Sequence, residues 1–260
     1  MPPKVSIVTT AYNGEKYLDK FISSMLNQTF DDFEFIVVDD GSTDSTLHML
    51  QQIEDPRIRI IKQNNQGQVN ALITGIEHAQ GELIARIDQD DYSLPERLMR
   101  QVKFMDAHPN TTLCSSRFQE LYNGNLTPQK VQFAQTDTEI KKIISYFNPF
   151  AHSAVMFRRE SYLMSGGYDK RFLIAMDYDL FIRLMEMGEA HNIDEVLTVI
   201  RMHDESYSMK KSRLKIIESI KIRCRAYSKF GGNPLFAGFF LLKSIVGLAL
   251  PSWLKAKINI

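Results

Sequence analysis

The sequence predicts an α/β fold: a mostly parallel central sheet flanked by helices, with a C-terminal helical appendage. Three observations predict it. Strand-like and helix-like segments alternate four times through the first part of the chain, the pattern of a parallel sheet with helices on both faces. Acidic clusters stand where apolar runs end, which is where an open α/β sheet presents ligand-binding groups. Beyond residue 200 the composition turns basic and then strongly apolar.

Residues 4–10 are rich in β-branched side chains and predict a buried first strand. A helix comes next, from about Glu15 to Gln28, with Leu18, Phe21, Ile22, Met25 and Leu26 at helical spacing. Residues 33–39 form the second strand, and the turn after it can cap a helix through Ser42 to Asp44 that runs to about Ile53. The third strand is 57–63, its helix about Gly67 to Ala79, and the fourth strand 82–88. Pro95, favoured at a first helical position, opens a helix that ends near His108-Pro109, and 112–118 is one more strand. The second half is less regular. Strands are expected at 152–159 and 195–201, and helices at Glu160–Met164, closed by Gly166-Gly167, and at Asp177–Gly188. A helix from about Ser208 to Phe230 shows Leu214, Ile217, Ile220, Cys224 and Tyr227 as its apolar stripe.

With 260 residues, the chain can hold one large domain or a domain plus an appendage. The expected division is a catalytic domain over 1–206 and an appendage over 207–260. The domain would comprise a nucleotide-binding half to about 118 and an acceptor half over 119–206. The formal net charge of zero hides an asymmetry: residues 201–260 hold twelve Lys/Arg and three Asp/Glu. An acidic body suits a cation, and a basic tail suits an anionic surface. No nucleic-acid partner is expected. The two cysteines, Cys114 and Cys224, share no metal-ligand spacing and read as reduced thiols of a cytosolic protein. The N-terminus is strand-like rather than a signal peptide, and no run of about 20 apolar residues suggests a membrane span. The apolar stretch 235–250, interrupted by Lys243, is better suited to lying in an interface.

Four clusters carry chemistry. DDGSTD at 39–44 is either a strand-end turn with a helix cap or a carboxylate acceptor for a base N–H such as uracil N3–H. Asp88, Asp90 and Asp91 crowd three carboxylates into four residues; they form a solvated loop or ligate Mg2+ or Mn2+, which prefer oxygen. Asp177, at a helix start, is a macrodipole partner or a general base. As a base it is expected to have a low pKa, held down by the helix-end amides. His152 and His203 are metal ligands, acceptor contacts or buried hydrogen-bonded histidines. Neither GxGxxG, GxxxxGK[ST] nor GxSxG occurs, so dinucleotide oxidoreductases, P-loop NTPases and α/β-hydrolases lose support.

With these residues in place, the chain resembles the inverting family 2 glycosyltransferases of the GT-A fold. VSIVTTAYN at 5–13, DDGSTD at 39–44, GELIARIDQDD at 81–91, GGYD at 166–169 and MDYDLFIRL at 176–184 keep the family's order and spacing, over about residues 4–205. The resemblance implies that Thr10, Ala11 and Tyr12 line the nucleotide pocket, and that Asp40 or Asp39 contacts uracil. Asp88 would lie near ribose and metal, Asp90 would ligate the cation, and Asp177 would be the general base. Met176 stands where the family carries a Glu, and Ala71-Leu72-Ile73 where it often carries Ala-Arg-Asn, so no donor-binding Arg comes from that point. His203 falls in the segment that can face the metal, and His152 and Asp91 fall on the acceptor side. The processive Gln-x-x-Arg-Trp motif is absent, which favours transfer of a single residue.

The resemblance implies a metal-dependent inverting hexosyltransferase using Mn2+ or Mg2+. It would move a sugar from a nucleotide-sugar donor, UDP-linked, to a saccharide or lipid-linked saccharide in surface-polysaccharide assembly. A sugar-phosphate nucleotidyltransferase and a non-catalytic nucleotide-sugar-binding protein are the alternatives. The tail, 208–260, would hold the protein on the inner face of the plasma membrane, pack on the body, or form a homodimer interface.

Overall fold

The computed structural model describes residues 1–127, 134–202 and 212–249. The first half shows the expected alternation: β1 (Val5–Ala11), α1 (Glu15–Leu26), β2 (Phe33–Asp39), α2 (Thr46–Gln51), β3 (Ile58–Lys62), α3 (Gln68–Glu77) and β4 (Leu83–Arg86). A two-residue β5 (Tyr92–Ser93), α4 (Arg97–Ala107), β6 (Thr111–Tyr122) and β7 (Asn125–Leu126) come next. The second half holds α5 (Asp137–Ile143), β8 (Met156–Arg158), α6 (Arg159–Met164), α7 (Met176–Met185) and β9 (Glu189–Met202), then α8 (Ser212–Phe230) and α9 (Pro234–Ala249). Among the described residues the strands form one sheet in the order β3-β2-β1-β4-β8-β6-β9-β5, with β7 paired to β6.

β1 to β4 pair in parallel, so Ala11, Asp39 and the residues after Arg86 lie along one edge of the sheet. β8 then runs antiparallel to both β4 and β6, and β5 antiparallel to β9. Successive side chains of a strand point to opposite faces, and both faces here are covered. Ile7, Phe35 and Val37 pack with Leu18, Phe21 and Met25 of α1 and with Leu98 and Met105 of α4. Val8, Ile36 and Val38 pack with Leu72 and Ile76 of α3 and join the same core as Leu180, Phe181 and Leu184 of α7. Helix α3 comes close to the sheet because it carries Gly75 there: a Cβ at that position would lie 2.6 Å from Val8 Cγ1.

Three expectations need correction. The segment 152–159 is a strand only over Met156–Arg158; His152–Ala154 form a 3-10 turn, where Ser153 Oγ accepts a hydrogen bond from the Asp88 amide at 3.1 Å. The late strand runs from Glu189 rather than 195, because it pairs with β6 from Thr111 to Tyr122. The apolar stripe of α8 is also misplaced. Ile217 and Tyr227 are exposed, as is Cys224, while Glu218, Ile222 and Ala226 face the body. Three backbone amides ahead of α7 hold the Glu218 carboxylate, and this fixes how the helix is turned.

Helix α8 is thus built onto α7, and Arg225 and Lys229 add ion pairs to Glu186 at 2.9 and 3.3 Å. The expected domain junction at 206/207 lies outside the described residues, as does His203. Both cysteines are free. No described helix is long and apolar enough to cross a membrane.

Candidate active site

The loops after β1 and β2 lock onto each other. Asn13 sits in the left-handed region at φ 48°, its Oδ1 accepts from the Thr43 amide at 2.8 Å, and its own amide donates to Ser42 Oγ at 3.1 Å. Gly14 N–H donates to Thr46 Oγ1 at 2.8 Å. The Gln89 side-chain amide clasps the Tyr12 backbone from both sides, accepting from its N–H at 3.1 Å and donating to its C=O at 3.0 Å. The Tyr12 ring is left 46% exposed, free to stack, while Ala11 is buried and Thr10 half-buried beneath it.

The two acids of DDGSTD have different surroundings. Asp40 is buried and saturated: its carboxylate accepts from Gln63 Nε2 at 2.7 Å and from the amides of Gln66 and Gly67 at 2.9 and 2.8 Å. Gly67, at φ 84°, has the backbone conformation that brings its N–H to that carboxylate. Asp39 is fully buried; its Oδ2 accepts from the Ser42 amide at 3.4 Å, but its Oδ1 has no hydrogen-bond partner.

The centre of the site is Arg86. Its guanidinium, 1% exposed, makes a bidentate pair with Asp88 and donates to Ser153 Oγ at 3.3 Å. Asp88 also accepts from Gln68 Nε2 and from Ser153 Oγ, each at 3.0 Å. Burial alone would raise the Asp88 pKa; the charge and hydrogen bonds of Arg86 outweigh it and hold the group at about 2. Gln68 comes directly after the amides that Asp40 holds, so a continuous path runs from Asp40 through 66–68 to Asp88 and Arg86.

Asp88, Asp90 and Asp91 bring carboxylate oxygens within 4.8 Å of one another. Asp91 is buried, and its Oδ1 accepts from the Arg201 amide at 2.7 Å. Burial and the charges of Asp90 and Asp88 push its pKa well above the usual range. Such crowding of hard oxygen donors fits a divalent cation of the Mg2+ or Mn2+ class. Arg86 already neutralises Asp88 and occupies both of its oxygens, so Asp90 and Asp91 are the better placed pair to hold one.

Across from this cluster, Asp177 is the second residue of α7, and its Oδ2 accepts from Asn148 Nδ2 at 3.0 Å. Its pKa is raised, not lowered as the sequence suggested. Burial is the largest cause and outweighs the Tyr178 amide and the charges of Arg86 and Lys215. A raised pKa makes the carboxylate a better proton acceptor. His152 Nε2 lies 2.7 Å from the Tyr168 hydroxyl, and burial together with Arg86 pushes the ring well below its ordinary pKa, so it is neutral near pH 7.

The charge of Arg86 is therefore felt by Asp88, Asp91, Asp177, His152 and Tyr168, which places these groups near one another around its guanidinium. Sequence reasoning missed Arg86, Gln68, Gln89, Asn148 and Ser153. Arg86 left a signal: a charge inside an apolar strand, with an acid two residues on and hence on the same face.

Comparisons with known proteins identify the family and the fold. The sequence matches glycosyl transferase family 2 over residues 6–167. It is 30% identical over 221 residues to an uncharacterized glycosyltransferase of Haemophilus influenzae, covering 79% of this chain and 68% of that one. It is also 30% identical to the O-antigen biosynthesis glycosyltransferase WbnJ of Escherichia coli, covering 86% and 89%. Two solved structures share the fold. S. aureus TarS 1-349 in complex with UDP-GlcNAc has 20% identity and a TM-score of 0.73, over 93% of this chain and 71% of that one. The mannosyltransferase PcManGT from Pyrobaculum calidifontis, in complex with GDP-Man and Mn2+, has 19% identity and a TM-score of 0.66, over 96% and 71%.

Arg86→Met leaves Asp88 without its cation, and removing one partner of a buried pair is strongly destabilising. Because Asp88 is partly exposed, the expected loss is about 2–4 kcal/mol, read in urea unfolding. A loss below about 0.5 kcal/mol would show that the pair does not organise the cleft.

Proposed function

The chain belongs to glycosyl transferase family 2, and from that premise we propose that it moves one hexose from a UDP-linked sugar to a saccharide hydroxyl, with inversion. The acceptor is a lipid-linked saccharide of cell-surface polysaccharide assembly. The observation that carries this reading is the buried Arg86 paired with Asp88 of the clustered carboxylates Asp88, Asp90 and Asp91, its charge reaching Asp177. A relative named for O-antigen biosynthesis and another named for amylovoran biosynthesis support the setting. Family membership sets aside the nucleotidyltransferase and non-catalytic alternatives.

In this reading the Tyr12 ring stacks on the uracil. Asp39, whose Oδ1 lacks a partner, accepts from the base N–H; Asp40 instead builds the 63–67 loop that closes the pocket. Asp88, fixed by Arg86, stands near the ribose. Asp90 and Asp91 would hold the cation, with His203, outside the described residues, as the further ligand the sequence suggests. When bound, the cation offsets charge growing on the departing diphosphate. Asp177 takes the proton of the acceptor hydroxyl as that oxygen bonds to the anomeric carbon and the bond from that carbon to the diphosphate breaks. Asn148 donates to the Asp177 carboxylate and orients it. His152, neutral and tied to Tyr168, forms part of the acceptor wall.

Screening UDP-glucose, UDP-galactose, UDP-N-acetylhexosamines and dTDP-rhamnose for metal-dependent diphosphate release tests the reading. Asp177→Asn is expected to lose about 10²–10⁴-fold in rate; an unchanged rate removes Asp177 from its role. Asp90→Ala is expected to abolish Mn2+-dependent UDP binding in calorimetry, and retained binding would move the cation elsewhere.

The base must be ionised, so kcat/KM falls as pH drops through the Asp177 pKa. Since burial raises that pKa, the acidic limb is expected above the ordinary carboxylate value of about 4. The Lys215 charge holds the pKa down, so Lys215→Met should move the limb to higher pH. A limb at or below about pH 4 would contradict the assignment.

We further propose that α9 lies on an anionic membrane surface. Leu235, Phe239, Leu242 and Val246 recur at helical spacing and are 82%, 59%, 60% and 38% exposed. The tail around them is strongly basic. The intact chain should float with anionic vesicles, and Phe239→Glu with Leu242→Glu should keep it in the soluble fraction. Equal fractions for both proteins would point instead to packing between copies.

A further inference from the structure

Glu218 is a buried acid on the C-terminal helix, outside every motif of the donor site, and it is 3% exposed. Its Oε1 accepts from the Leu173 amide at 2.9 Å, and its Oε2 accepts from the amides of Ile174 and Ala175 at 2.9 and 2.8 Å. These three consecutive N–H groups lead directly into α7, and Ala175 is its N-cap. Ala175 offers no side-chain cap of its own, so the acid from α8 does what an N-cap side chain does elsewhere. Two residues on stands Asp177. A carboxylate at this end of the helix also suits the macrodipole. One turn earlier on α8, Lys215 is close enough for its charge to act on Asp177.

We propose that Glu218 is a positioning residue: from the C-terminal helix it fixes the backbone turn that presents Asp177 to the acceptor. This rests on the reading of Asp177 as the base. The rest of the α7–α8 contact is different in kind. Arg225 and Lys229 pair with Glu186 at 2.9 and 3.3 Å, just past the C-terminal end of α7, while Arg225 also comes within 3.7 Å of Asp179 in its first turn. The appendage therefore has two separable parts, a clamp on the catalytic turn and a packing seam. Catalysis is sensitive to this distinction, because a 1 Å misplacement of a reacting group costs about 10²-fold in rate.

Full-length Glu218→Ala, Glu218→Gln and Lys229→Ala test it with two readouts. The first is amide hydrogen exchange over 173–179. The second is the steady-state release of UDP from UDP-N-acetylglucosamine with Mn2+, below the unfolding temperature of each variant. Expected for Glu218→Ala is exchange at 173–179 faster by tenfold or more, and kcat lower by about 10–100-fold with KM within about twofold. Glu218→Gln, which keeps one acceptor oxygen, falls between, and carries the comparison if the alanine variant does not fold. Lys229→Ala, which removes only a pair to Glu186, is expected to keep both kcat and the exchange at 173–179. Unchanged exchange at 173–179 overturns the proposal, and this arm needs no turnover. Faster exchange with full kcat, while Asp177→Asn is inactive, overturns it too. Full activity in Asp177→Asn would instead overturn the functional reading on which it rests.

Discussion

A guanidinium sealed at the end of a central strand has to be answered by a carboxylate, and that constraint organises this molecule. Arg86 is 1% exposed, and its charge cannot be left alone in a low-dielectric interior. The answer comes from Asp88, two residues on. The demand then spreads: Ser153 from the turn before β8 and Gln68 from the start of α3 satisfy the remaining lone pairs of Asp88. Three segments distant in sequence are thereby brought to one point. The same pairing takes Asp88 out of the competition for a cation and leaves Asp90 and Asp91 to crowd each other.

The sheet explains why the point lies where it does. To one side of β4 the strands run parallel, and their carboxyl ends deliver the loops that carry Tyr12, Asp39 and Asp88. On the other side β8 runs antiparallel, so the loop entering it, with His152 and Ser153, arrives at the same edge. The candidate site sits at this change of direction, the place where open α/β sheets bind ligands. Arg97, buried and bonded to the carbonyls of Arg86 and Val155 at 2.7 and 3.1 Å, holds the two strand ends together from behind.

Much of this is legible in the sequence, for local reasons. β-Branched runs ending in acids mark the parallel strands and the edge on which Asp39, Asp88 and Asp90 stand. Helical spacing marks α1 and α7. The features that cannot be read depend on contacts between distant residues. That Asp40 is consumed by the 63–67 loop while Asp39 keeps an oxygen unpaired comes from a loop conformation, not from residue type. The Asp177 pKa reverses its expected direction because the sequence shows the helix-end amides and not the burial. The face of α8 differs from its apolar stripe because a stripe is only a local signal, and a single acid with three waiting amides overrides it. A charged residue inside an apolar stretch is informative twice, at Arg86 and at Glu218, and in each case its partner shows what it is for.

Donor, cation and proton acceptor must share one cleft around Arg86 for any of this chemistry to run. A crystal structure of the full chain with UDP and Mn2+, collected at a wavelength where manganese scatters anomalously, measures that arrangement directly. Expected are one anomalous peak at Asp90 and Asp91 touching the diphosphate, the uracil against Tyr12 and Asp39, and Asp177 facing the β-phosphate end. A nucleotide bound on another face, or an Asp177 carboxylate turned away from the diphosphate, would contradict it.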